Sequence, residues 1–158
     1  MRPPKYALEP LARLRQHGVD EAVRGLATAV ARRDEAERRR RGAEQRRELH
    51  ESATALVRED EREALARGEL RAADLARADA WERRASAEGT AMAAECDRAR
   101  TSEATALEQE QRARTQVATR EADAQVVARD RARWDEGLRK RTEAREEEAM
   151  AEAYRPKR

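Results

Sequence analysis

The chain is 158 residues long, with 35 Lys plus Arg against 33 Asp plus Glu, 43% charged and 3% aromatic residues, no Phe and one Cys. Leu and Val together make up about 11% of it and Ile is absent, which excludes an ordinary core of branched aliphatics and aromatics. Disorder would normally come with a large net charge, yet the formal net charge is +2, and the dominance of Ala, Glu, Lys, Leu and Arg is that of long helices or a coiled coil.

Helix breakers sit at the ends. Pro3, Pro4 and Pro10 fall in the first ten residues and Pro156 near the last, so almost everything between can be helical. Pro10 suits a first helical turn, where its missing N–H costs nothing. A single helix through the whole interval would have no partner for its apolar seam, so one glycine must mark a reversal. Gly68 fits best: it follows Leu65-Ala66-Arg67 as a left-handed C-terminal cap would, and Leu70, Ala73 and Leu75 open a new apolar pattern beyond it. The expected fold is all-α, a single long antiparallel two-helix coiled-coil hairpin with unequal arms: helix 1 over about 6–67, a turn over about 68–71, helix 2 over about 72–152, and short disordered ends. At about 1.5 Å per residue the arms would span roughly 85 and 120 Å, giving a thin rod whose C-terminal arm projects past the pair.

Heptad counting places a seam on each arm. In helix 1 it runs through Leu26, Ala29, Arg33, Ala36, Arg40, Ala43, Arg47, His50, Thr54 and Val57, with Leu49, Ala53, Leu56 and Leu65 on an adjoining stripe. In helix 2 it runs from Leu75 and Ala78 through Ala85, Gly89, Met92, Cys96, Ala99, Ala106, Ala113, Val117, Ala124 and Val127 to Trp134 and Leu138, interrupted by Glu82, Glu103, Glu110, Arg120 and Arg131. Such a seam lets helices approach closely but buries little area per layer. Opposite charges at helical spacing, Asp34 to Arg38, Glu35 to Arg39, Glu37 to Arg41, Asp79 to Arg83, Glu108 to Arg112, Asp135 to Arg139 and Glu136 to Lys140, add support of a few tenths of a kcal/mol each.

No constellation for catalysis stands out: there is no glycine-rich phosphate loop, no nucleophile with a paired His, and the carboxylates are spread around the helices. An enzyme is not expected, nor a cofactor, nor a metal centre with only His17, His50 and Cys96 to draw on. Cys96 reads as a small buried hydrophobe and His50 as an interfacial polar residue. Arg38-Arg39-Arg40-Arg41 with Arg46-Arg47 is the densest positive run, but on a helix it points several ways and Glu35, Glu37, Glu44 and Glu48 partly neutralise it. A solvated face is expected there, with docking onto an acidic protein surface left open and no nucleic-acid binding foreseen. No stretch approaches the about 18 apolar residues of a membrane span, and the N-terminus lacks the apolar core of a secretory signal, so a cytosolic protein without membrane insertion is expected. Trp134 falls on the seam, facing the N-terminal leucines. Trp81, off the strict seam near Leu65, Leu70 and Leu75, is either an interaction hot spot or part of the closure of the hairpin end.

The N-terminal stretch Lys5-Tyr6-Ala7-Leu8-Glu9-Pro10-Leu11-Ala12-Arg13-Leu14-Arg15, followed by Asp20-Glu21-Ala22 and Leu26-Ala27-Thr28-Ala29, resembles the opening of the FliJ family of flagellar export proteins and its virulence-associated YscO/SctO relatives. The C-terminal Trp134-Asp135-Glu136-Gly137-Leu138-Arg139-Lys140-Arg141, with Glu146-Glu147-Glu148 beyond, is similar to the family's tail. The resemblance implies a stalk protein of type III secretion, cytoplasmic and peripheral at the inner-membrane export apparatus, monomeric when isolated. Its paired termini would enter the pore of a hexameric export ATPase. It would also meet the cytosolic domain of the export gate, with export chaperones as further candidate partners. By matching position, the ATPase-binding end would be Leu8, Leu11, Arg13, Leu14, Arg15, Trp134, Leu138, Arg139 and Arg141. The export-gate face would be Leu49, Leu56, Leu70, Leu75 and Trp81. The alternative is a structural coiled-coil scaffold or an export escort chaperone without an ATPase role.

Overall fold

In the computed structural model, which describes residues 4–154, the protein is an all-α antiparallel hairpin of two helices, α1 (Glu9–Ala66, 58 residues) and α2 (Ala72–Ala153, 82 residues). The expectation of disordered ends falls mainly on residues 1–3 and 155–158, outside the described residues. Neither helix contains a proline beyond its first turn.

The helix boundaries have local causes. Residues ahead of Glu9 do not join α1, although helix 1 was expected from about residue 6. The Tyr6 ring turns inward and is 8% exposed, and the Tyr6 carbonyl accepts the Glu9 N–H at 3.3 Å in a turn. The Leu8 carbonyl accepts the first intrahelical bond from Ala12 at 2.9 Å, which places Pro10 in the first turn. At the other end Gly68 adopts φ 71°, its N–H bonds the Leu65 carbonyl at 3.0 Å, and the Glu69 N–H bonds the Ala64 carbonyl at 3.0 Å. This pair of hydrogen bonds is the Schellman arrangement, and its left-handed residue is the place where a side chain is costly. Helix α2 opens on Arg71, whose N–H is capped by Asp74 Oδ2 at 3.0 Å and whose carbonyl accepts the Asp74 and Leu75 N–H groups.

The chain groups into two compact units, Thr28–Gln111 and Met1–Ala27 with Arg112–Arg158. In Thr28–Gln111 the buried residues are Ala29, Ala36, Ala43, Thr54, Ala85, Cys96, Ala106 and Glu110. The first three recur every seven residues, so each presents the same face to α2 two turns further on. With only a methyl group at these positions the helices pack close, and the neighbouring seam positions go to long polar side chains that bury their stems: Arg33, Arg40 and Arg47 are half-buried. Gly89 continues α2 without a break and faces the His50 ring, Nε2 lying 3.7 Å from where a Cβ would stand. In the other unit the buried residues are Tyr6, Ala22 and Val127.

Candidate functional site

The terminal base of the hairpin, within the unit formed by the first and last segments, is organised around Tyr6. Its hydroxyl donates a 2.5 Å hydrogen bond to Asp130 Oδ2, its ring centroid lies 5.5 Å from that of Trp134 at 54°, and the Arg131 guanidinium sits 5.9 Å over its face. The hydrogen bond to Asp130, then burial, then the Asp130 charge push the Tyr6 hydroxyl up to about 12 from its ordinary 10.0. Arg131 also donates to Glu9 at 2.6 Å, and further along the pair Arg15 donates to Asp123 at 2.6 Å. Pro4, Tyr6, Pro10, Arg131 and Trp134 surround a cavity of about 830 Å³ with Lys5 and Arg13 also lining it.

The candidates for the ATPase-binding end are not all placed alike. Trp134, Leu11, Arg15 and Leu138 are half-buried at the base, whereas Leu14 is 68% exposed and Leu8, Arg13, Arg139 and Arg141 face solvent. The aromatic partner of Trp134 is Tyr6, which the expectation of packing against the N-terminal leucines did not include. Tyr6 belongs to the site, and sequence reasoning noted it only as part of a motif: it lies outside the helix, so no heptad count reaches it.

Near the turn, the export-gate candidates fall into three places. Leu70 and Leu75 share a shallow depression with Leu65 and the Arg58–Glu82 pair. Trp81, half-buried, lines a separate cavity of about 330 Å³ with His50, Thr54 and Val57. Leu49 and Leu56, 63% and 69% exposed and seven residues apart, form an outward stripe on α1. His50 Nε2 lies 3.1 Å from the Ala85 carbonyl, and Cys96 is fully buried, so both sit on the seam as expected.

Between these ends the charges form an interhelical ladder. Arg33 donates to Glu110, which is 3% exposed, at 3.1 Å; Arg40 contacts Glu103 and Glu44 at 2.6 Å each; Arg100 donates to Glu44; Arg46 donates to Glu95 at 2.6 Å; Arg58 holds Glu82 with two bonds of 3.0 and 2.7 Å. The hydrogen bond from Arg100 holds the Glu44 carboxyl below its ordinary value, and that from Arg58 does the same to Glu82. The run 38–41 does radiate: Arg38 and Arg39 pair with Glu35, Arg40 turns to the seam, and Arg41 pairs with Glu37. Arg38 thus takes Glu35 where Asp34 was expected, and Asp34 pairs with Arg33.

Among the described residues no group of His, Cys, Asp and Glu is placed to hold a metal ion, and no helix is long and apolar enough to cross a membrane. No family model, curated protein or solved structure matches the chain.

Proposed function

We propose that the chain is an accessory stalk of a type III protein export apparatus, docking by its terminal base into a hexameric export ATPase and meeting the cytosolic domain of the export gate through residues near its turn. One observation carries the reading. The two stretches that resemble the FliJ and YscO/SctO proteins, Lys5–Arg15 and Trp134–Arg141, come together in one unit through the Tyr6–Trp134, Tyr6–Asp130 and Glu9–Arg131 contacts. At the base Arg13 and Arg131 pair with Glu9 and Arg131 with Asp135, while Leu14, Arg139 and Arg141 are exposed. A surface of both signs makes many weak contacts in a pore, each worth little alone, so the stalk is held without being locked in one orientation. On this reading the chain performs no chemistry; hydrolysis belongs to the ATPase, and the location is cytoplasmic at the inner-membrane export apparatus.

The outward Leu49–Leu56 stripe favours a second reading, a coiled-coil scaffold or escort chaperone without an ATPase role. Co-sedimentation of the protein with a hexameric type III export ATPase separates the two. The stalk reading expects a salt-sensitive complex that is lost when Leu11 and Leu14 become Asp and kept when Leu49 and Leu56 do. Absence of a complex, or one that depends on Leu49 and Leu56 alone, overturns it.

A further inference from the structure

We infer that the protein self-associates head to tail, the glutamate-rich end of α2 in one copy lying in an arginine-rimmed groove between α1 and α2 of the next. The groove runs along Thr28–Gln111 as two adjoining cavities that share Glu35, Arg39 and Ser102. Its floor is small, because the seam residues Ala36, Ala43, Ala99 and Ala106 reach it. Its rim carries Arg32, Arg39 and Arg46, each seven residues after the last, with Arg38 and Arg98, against only Glu35 and Glu95. Two of these cations have no partner of their own: among the described residues neither Arg32 nor Arg98 makes an ion pair or side-chain hydrogen bond. A seven-residue arginine spacing beside a small-residue floor suits a third helix lying along the groove with acidic groups at matching turns.

The chain itself carries such a helix. Every residue from Arg139 to Tyr154 is exposed, so this end of α2 packs against nothing in its own chain. Thr142–Ala153 holds five glutamates against one arginine, and among the described residues Glu143, Glu146, Glu147, Glu148 and Glu152 form no ion pairs. Ala144 and Ala151 leave room for close approach on one side. The lengths agree: twelve helical residues cover about 18 Å, and Arg32 to Arg46 covers about 21 Å. The groove rim, with five arginines against two glutamates, and residues 142–153, with five glutamates against one arginine, carry opposite local charge and complement each other between copies. An unaccompanied helical end is only marginally stable in water, and docking supplies the packing it lacks. Because groove and tail are different surfaces, the contact is heterologous and leaves a free groove and a free tail at the ends of each assembly. This inference stands on the groove and the tail alone and departs from the monomer in isolation that the stalk resemblance implies.

Sedimentation velocity tests it on the full chain, with two variants whose helicity is checked by circular dichroism. One carries Arg32→Glu and Arg98→Glu, which break no internal ion pair; the other ends at residue 141. At a salt concentration of about 20 mM the unchanged protein is expected to sediment faster as its concentration rises, and at about 500 mM to sediment as a monomer, since exposed charges are then screened. Each variant alone is expected to stay monomeric, while the two mixed form a one-to-one dimer, because one supplies only a tail and the other only a groove. Monomers throughout, or a mixture that does not pair, overturn the inference. So does an assembly that ignores salt and survives in both variants, which would point to a symmetric contact through Leu49 and Leu56.

Discussion

Tyr6 and Asp130 are joined by a hydrogen bond of 2.5 Å across 124 residues of sequence, so the non-helical segment before α1 is fixed to the far arm by a buried phenol. That bond, followed by burial and the Asp130 charge, lifts the Tyr6 hydroxyl from 10.0 to about 12. The folded state keeps its proton where the unfolded chain has lost it. The stabilisation is full below pH 10 and disappears as the pH rises from 10 through 12. Tyr6→Phe is expected to lower the thermal midpoint at neutral pH by a few degrees and to flatten the wild-type decline between pH 10 and 12. Thermal melts by circular dichroism at a series of pH values check both.

Acid should loosen the charge ladder. Glu44 is lowered chiefly by its hydrogen bond from Arg100, Glu82 by that from Arg58, and Glu35 by those from Arg38 and Arg39, all from an ordinary 4.5. Depressed carboxyls stabilise above the unfolded value and lose that contribution as the pH falls through the folded one. The urea midpoint is expected to hold steady down to pH 4.5 and fall below it, less steeply in Arg58→Gln. A midpoint that rises on acidification would mean that these pairs do not stabilise the fold.

Two glycines should respond in opposite ways to alanine. At Gly68, φ 71° places a side chain in the left-handed region, and Gly68→Ala is expected to cost about 1 kcal/mol. Gly89 lies inside α2, and a Cβ there would meet His50 at an ordinary 3.7 Å, so Gly89→Ala is expected to stabilise by up to about 1 kcal/mol through helix propensity. Urea denaturation curves of the two variants give the signs directly.

The alanine seam sets the spacing between the helices. Ala43 is 3% exposed, and Ala43→Leu would force three more carbons into a contact sized for a methyl group. The expected cost is about 1–3 kcal/mol, despite the gain in apolar volume. A stabilising Ala43→Leu would show that the helices are free to move apart.

The seam was legible in the sequence because the packing repeats every seven residues. Ala29, Ala36, Ala43, Cys96, Ala106 and Glu110 are buried at the heptad positions, even though Glu110 is charged. The turn was legible because only a left-handed residue closes the helix end, and Gly68 was the glycine that followed a helical apolar pattern and preceded a fresh one. The base was less so. Tyr6 meets Trp134 and Asp130 through tertiary packing that leaves no local periodicity, and the exposure of Leu14 depends on where α1 begins. The arginine groove was hidden for a further reason: the run 38–41 reads as one positive block, whereas the helix divides it among the seam, the groove and the outer face.

The stalk proposal is tested most directly by ATP hydrolysis of a hexameric type III export ATPase titrated with the protein. Wild-type protein is expected to raise the rate in a saturable way, Leu11→Asp with Leu14→Asp to remove the rise, and Leu56→Asp to leave it intact. An unchanged rate at every concentration of the wild-type protein, with no binding to the hexamer, would contradict the account.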